Sequence, residues 1–261
     1  MDSLDESSAH GSIAARLVKT AQARAKDATV QDVRIGLGYT AVALSNDRGG
    51  VAFTFRDTAQ GCCSAHDRTP PLTGRPAGEL VTLLASSDPI EAAVGLATAN
   101  ALTNRDADGF LEGDVLDHLD VGPTDDVGMV GHFRPMVDAL KERARSLTIY
   151  ERVAAPRGQV RPAKQALVEL PGVQIALITA TSLLNHTLDE LLQAANSCRQ
   201  IAILGASTPL VPDVFIGTGV TLLSGVIVED PSAVLRVVSE GGGVRQLRPH
   251  VRKVSSPVTQ S

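Results

Sequence analysis

The sequence predicts an α/β fold: an N-terminal α+β unit followed by a domain built on a mostly parallel sheet. Three observations carry this. An alternating run over 33–44, a turn-forming stretch over 46–50 and a second run over 51–55 read as a β-hairpin, with helix-forming segments on either side. From residue 127 onward, short β-branched runs alternate with helical stretches, which implies parallel strands covered by helices. Finally, three of those runs end in polar or glycine-bearing loops: VGMVGHFRP (127–135), IALITATSLLNHT (175–187) and IAILGASTP (201–209). In open α/β sheets, ligands bind outside the carboxyl ends of such strands, so three such endings predict one shared site.

The elements follow in order. Residues 1–10, polar and acidic, read as a disordered tail. A helix is expected over 11–26, with Ile13, Leu17, Val18 and Ala21 on one face. After the hairpin comes a loop containing Gly61, Pro70, Pro71 and Gly74, then helices over 77–85 and 90–102. The second helix opens with Ser87, Asp88 and Pro89, a capping side chain before a first-turn proline. Its small face of Ala93, Gly95, Ala97 and Ala99 lets another backbone approach. The stretch 104–126, rich in Asp and Gly, marks a composition shift and is expected to be an acidic linker. Its 106–112 segment resembles a calcium loop in part, without the third acidic position. The domain organisation read from this pattern is an α+β domain over 11–104, a linker over 105–126 and a parallel-sheet domain over 127–254. Within the last, strands are expected at 127–130, 147–150, 175–179, 201–204 and 220–228. Helices are expected at 136–146, 187–195 and 232–239, with a terminal strand beyond the turn at Gly241–Gly243.

Composition narrows the function classes. The 261 residues are 43% hydrophobic but only 3% aromatic, without Trp, so Ala, Val and Leu must build the core. A net charge of -5 gives no electrostatic basis for nucleic-acid binding or for an anionic membrane surface. No window reaches the about 20 apolar residues of a membrane span. Three cysteines form no disulfide framework. A cytoplasmic location is expected, a small molecule or metal is the expected partner, and a homo-oligomer is left open.

Four motifs together resemble a known family. VGMVGHF (127–133), Tyr150-Glu-Arg152, TATSLLNHTLD (179–189) and LGASTPLVP (204–212) are similar to the family described as "putative heavy-metal chelation". Members pair an enolase N-terminal-like domain with a Rossmann-like domain, and the hairpin with the GLATANA helix (95–101) matches the first of these. The resemblance runs from about residue 12 to 254. It implies that two-domain fold, with metal binding or chelation as the activity.

The candidate site residues lie at the strand ends. His132 follows Gly131, where an imidazole can bind metal or move protons near neutral pH; a loop histidine bonded to a carbonyl is the plainer alternative. Phe133 and Pro135 stand where a dinucleotide pyrophosphate needs bare backbone, and the loop is not G-x-G-x-x-G, so the standard nicotinamide pose is disfavoured. Glu151, 20 residues after Gly131, suits a ribose hydroxyl, a metal or an arginine equally. Thr179, Thr181 and Asn185 offer hydroxyls and an amide, whereas Thr187 reads as an N-cap with Glu190 completing a capping box. His186 is expected to point away. In the last loop, Gly205 permits a sharp turn, Pro209 and Pro212 stiffen it, and exposed amides beside Ser207 and Thr208 would cradle an anion; a rigid turn without ligand is the alternative.

Cys62, Cys63 and His66 invite a metal reading, but adjacent side chains on extended backbone diverge and a structural zinc site needs four ligands. Cys198 reads as buried packing. The Gly241–Gly243 turn is expected to lead into a strand without a following helix, which disfavours a phosphate loop. No nucleophile elbow or P-loop is present.

Two functions follow from these residues. One is binding or chelation of a metal ion, or of a metal-containing small molecule, in the interdomain cleft. His132 and Glu151 would be metal ligands, with a divalent transition metal such as zinc, nickel or iron. The other is an enzyme acting on a small anionic or nucleotide-like metabolite, with His132 as acid/base and the 205–209 loop as anion holder.

Overall fold

The computed structural model describes residues 11–56 and 71–260. The N-terminal tail, the Cys62, Cys63 and His66 motif, Gly61 and Pro70 lie outside the described residues. Helix α1 (Ile13–Ala25) buries Ile13, Leu17 and Ala21 at the expected spacing, and Ser12 accepts a hydrogen bond from the Ala15 amide at its N-terminus. An antiparallel sheet follows in the order β1-β2-β3, formed by Val30–Ile35, Tyr39–Leu44 and Gly49–Phe53.

The run over 33–44 is thus two strands rather than one. It folds back at Gly36 and Gly38, where the Gly36 amide donates to the Tyr39 carbonyl. A Cβ on Gly36 would lie 2.3 Å from the Val238 carbonyl oxygen, so only glycine lets this turn seat against the later helix. The 45–48 turn closes the β2–β3 hairpin as expected, with Asp47 at φ 58.

Next come α2 (Ala77–Leu80), continued by a 3-10 segment over Val81–Ala85, and then α3 (Pro89–Thr103). Asp88 caps α3 by accepting from the Ile90 amide. Every residue of α3 from Ala92 to Thr103 is buried. The small face predicted for α3 does what its residues suggest. A Cβ on Gly95 would meet the Leu84 amide nitrogen at 2.1 Å, and one on Gly50 of β3 would meet the Ala97 carbonyl at 2.1 Å. The helix backbone therefore lies almost directly on its neighbours.

The stretch after α3 is pinned rather than free. Leu116 and Leu119 are buried. Arg252 pairs with Asp106, Glu112 and Glu229, while Arg199 pairs with Asp120 and Asp125. Leu111 bridges to Ser255 on the last strand. Four of its acidic groups, Asp106, Glu112, Asp120 and Asp125, thus pair with arginines of the C-terminal half.

That sheet has seven strands: β4 (Asp126–Val130), β5 (Ser146–Glu151), β6 (Val160–Pro162), β7 (Ile175–Thr179), β8 (Gln200–Leu204), β9 (Leu222–Val228) and β10 (Val251–Pro257). Their spatial order is β10-β9-β8-β7-β4-β5-β6, and all neighbours are parallel except β10 on β9. From β4 the chain moves outward through β5 to β6, returns to β7 beside β4, and moves outward again the other way. The junction of β4 and β7 is therefore a topological switch point. Helices α4 (Arg134–Arg143), α5 (Ala166–Glu169), α6 (Leu188–Ala194), α7 (Pro231–Ser239) and α8 (Val244–Leu247) complete the unit. β6 and α5 are not among the elements expected from the sequence. Both are three or four residues long and too short to carry a period. α8 follows Gly243, where the sequence predicts a direct passage to strand. One core runs through both halves, joining Leu17, Leu84 and Leu96 to Leu183, Leu188 and Phe215.

Candidate functional site

The switch point is built by the loops that leave β4 and β7. Gly131 ends β4 with its amide donating to the Tyr150 carbonyl of β5, so His132 and Glu151 leave neighbouring strand ends. Gly131 sits at φ +90, and a Cβ there would approach the Thr179 Cβ to 3.0 Å; glycine is what lets the two loops touch. From this turn the Phe133 ring projects over the strand ends. A Cβ on Gly131 would be 3.7 Å from its Cε2, and one on Gly205, at the end of β8, 3.8 Å from its Cε1. The half-buried ring thus covers the crevice where a Rossmann fold seats a pyrophosphate.

Around this ring stand groups of mixed character. The Thr179 and Thr181 hydroxyls are 3.1 Å apart, and the Thr181 amide donates to Thr179 Oγ1 at 3.3 Å. His132 is exposed. Glu151, half-buried, accepts the Arg152 amide through Oε2 at 3.0 Å. Across from them lies the end of the N-terminal sheet. The Arg152 guanidinium sits 4.2 Å above the Phe55 ring, Phe55 meets Phe53 edge-on at 5.1 Å, and Phe53 meets Tyr39 at 6.0 Å. Aromatic pairing of this kind adds directional attraction to area burial.

The loop after β8 departs from expectation. Ser207, Thr208 and Pro209 are buried, so they do not form an exposed anion cradle. The Ser207 hydroxyl and the Ser207 and Thr208 carbonyls are committed to the N-terminal elements, while the buried Thr208 hydroxyl has no hydrogen-bond partner among the described residues. Ser207 Oγ accepts the Phe53 amide at 2.9 Å, and the Ser207 carbonyl accepts from Asn100 Nδ2 at 3.1 Å. Asn104 Nδ2 donates to the Thr208 carbonyl at 2.9 Å and to the Val226 carbonyl at 3.2 Å, while its Oδ1 accepts the Leu210 amide at 2.8 Å. Buried backbone groups must find partners, and here Asn100 of α3 and Asn104 at its C-terminal cap supply them. The i,i+4 spacing of Asn100 and Asn104 at the end of a mostly apolar helix was the sequence signal for this seam.

Asn185 and Thr187 also have local roles. Asn185 Oδ1 accepts the Thr187 hydroxyl at 2.8 Å and its amide at 3.4 Å, which turns the chain into α6. Thr187 occupies the N-cap position, but its hydroxyl is taken by Asn185 and makes no cap bond to the helix, so the expected capping box does not form. His186, at φ 57, reaches the Ser86 carbonyl at 2.9 Å. Cys198 is half-buried against the Leu170 carbonyl, and burial pushes its thiol up to about 11. That makes it a packing residue rather than a nucleophile.

The donor set does not complete a metal centre by itself. Among the described residues no three His, Cys, Asp or Glu side chains are grouped to hold an ion. His132 and Glu151 are two candidates without a third, where a protein-held zinc needs at least three.

Comparison with known proteins agrees with the fold. Two family models, both described as "putative heavy-metal chelation", match residues 18–103 and 114–256. The chain belongs to this family. An uncharacterized protein of Methanocaldococcus jannaschii is 27% identical over 207 residues, covering 75% of this chain and 77% of that one. Two crystal structures of family members with unknown function are similar. The one from Pyrococcus horikoshii has a TM-score of 0.83 and 24% identity, over 95% of this chain and 100% of that one. The one from Desulfitobacterium hafniense has a TM-score of 0.77 and 25% identity, over 92% and 98%. Among the described residues no helix is long and apolar enough to cross a membrane.

Proposed function

We propose that the chain binds a metal in the form of a small organic chelate, or the chelating molecule itself, between the two halves at the β4–β7 switch point. The observation that carries this is the composition of the mouth. It has one aromatic wall at Phe133, two hydroxyls at Thr179 and Thr181, an exposed imidazole at His132 and no three-ligand group among the described residues. Such a set suits a mostly apolar organic ligand that carries its own metal donors, held by a few polar contacts. His132 supplies at most one ligand to the cargo ion, with Glu151 beside it. The family description, chelation of heavy metal, supports the same reading without naming an ion. The division into domains at 105–126 is part of this proposal, since it puts the ligand between them.

The test is elemental analysis and native mass spectrometry of untagged protein purified without added chelators. The expected result is an organic molecule of a few hundred daltons retained on the folded chain, with metal in proportion to it. Retention should be lost in Phe133→Ala while the melting curve stays cooperative. Protein that binds zinc(II) or nickel(II) salts tightly with no organic component, or that retains neither, overturns the reading.

A further inference from the structure

At the opposite end of the N-terminal sheet from Phe53, the end of α1, the β2–β3 turn and the chain just after α3 surround a cavity of about 340 Å³. Arg24, Lys26, Arg48 and Arg105 line it, with Asp27 and Ser45. In a chain of net charge -5, four cations against one carboxylate are a local reversal of sign. Six arginines elsewhere, Arg34, Arg75, Arg145, Arg161, Arg199 and Arg252, each face a carboxylate. Among the described residues the four around the cavity have no ion pair and no side-chain hydrogen bond.

The helix dipole explains part of this. Arg24 and Lys26 stand at the C-terminus of α1, where cations are favoured. It does not explain why Arg48, from a hairpin turn, and Arg105, from beyond α3, converge on the same space. Arg24 is half-buried, and burial, then the Arg105 charge, hold its guanidinium below its ordinary range, with Asp213 opposing. An anion between these groups removes that conflict.

We propose that this cavity is a binding site for a small phosphorylated molecule, held by the guanidinium groups of Arg24, Arg48 and Arg105. Guanidinium forks match phosphate oxygens in both geometry and charge. The volume falls at the lower end of small-molecule sites, with room for a diphosphate or a phosphorylated sugar. The site is separate from the β4–β7 mouth, and its test does not depend on what binds there.

Pyrophosphate is the probe. Calorimetric titration of the full chain at low ionic strength is expected to show saturable one-to-one binding that sodium chloride at matched ionic strength does not reproduce. Arg48→Gln and Arg105→Gln should each weaken it by about tenfold, one charge-assisted contact each. Both variants should melt at or above the parent temperature, because like charges have been thinned. Lys141→Gln, on the exposed side of α4, should leave the affinity unchanged. Absence of saturation, or equal weakening in Lys141→Gln, overturns the site in favour of diffuse attraction. An RNA oligonucleotide that displaces pyrophosphate at a lower concentration overturns the small-molecule assignment.

Discussion

Two loops at the same edge of the same sheet have opposite fates. The one after β4, with Gly131, His132 and Phe133, keeps an exposed imidazole and a half-covered ring. The one after β8, with Ser207, Thr208 and Pro209, is buried beneath β3 and α3, and its Ser207 hydroxyl and two carbonyls bond to Phe53, Asn100 and Asn104. Both satisfy the rule that ligands gather at the carboxyl ends of parallel strands. What separates them is the overlying layer. The N-terminal unit claims the loop after β8 through hydrogen bonds, whereas His132 after β4 stays exposed. A strand terminus is therefore available to a ligand only where nothing else of the chain has claimed it.

Variants can break or sharpen this contrast. The largest effect is expected for Asn104→Ala, which strands the Thr208 and Val226 carbonyls and the Leu210 amide in a buried seam. At about 1–3 kcal/mol per unpaired buried group, a loss of at least about 3 kcal/mol should appear in urea unfolding. A loss under about 1 kcal/mol would remove the distinction between seam and mouth. Next comes Gly131→Ala, which imposes a side chain at φ +90 and presses on Thr179. Roughly 1–2 kcal/mol is expected from the backbone alone, together with loss of ligand retention. Ser207→Ala removes one acceptor from the Phe53 amide and should cost about 1 kcal/mol without changing what the mouth retains.

The acid limb of stability tests a third part of the sheet. At the amino end of β4, Arg145 and Ser146 hold the Asp126 carboxyl down at about 2. Because the folded value is depressed, this contribution is complete above the unfolded value of about 4 and is lost as pH falls from there towards 2. Solvent screening at this rim limits it to about 1 kcal/mol. Asp126→Asn should flatten the stability curve between pH 4 and 2, as followed by circular dichroism. The smallest effect on stability belongs to His132→Ala, within about 0.5 kcal/mol, because the side chain is exposed. Its effect should be confined to ligand retention.

Much of the fold was legible because it rests on short-range rules. The period of α1, the Asp88–Pro89 start of α3 and the Asn46–Gly50 turn each declare themselves in a few residues. The elements that escaped, β6, α5 and α8, are too short to show a period, and the turn at Gly36 was hidden inside an alternating run. For the site, the strand-end position of His132, Phe133, Glu151, Thr179 and Thr181 was readable. The burial of Ser207 and Thr208 was not, because the residues that claim them are about a hundred positions away. Asn185 looked unassigned for a simpler reason: the contact that occupies it, two residues on at Thr187, was credited to a helix cap instead.

By itself the sequence determined the longer strands and helices, the small face of α3 and the acidic balance of the chain, since propensity, periodicity and side-chain size are written locally. The tertiary structure alone decided which strand ends stay open, which asparagines close the seam, and that Arg24, Arg48 and Arg105 meet around one cavity. Each of those depends on segments far apart in the chain, and their proximity is a property of the packed layers.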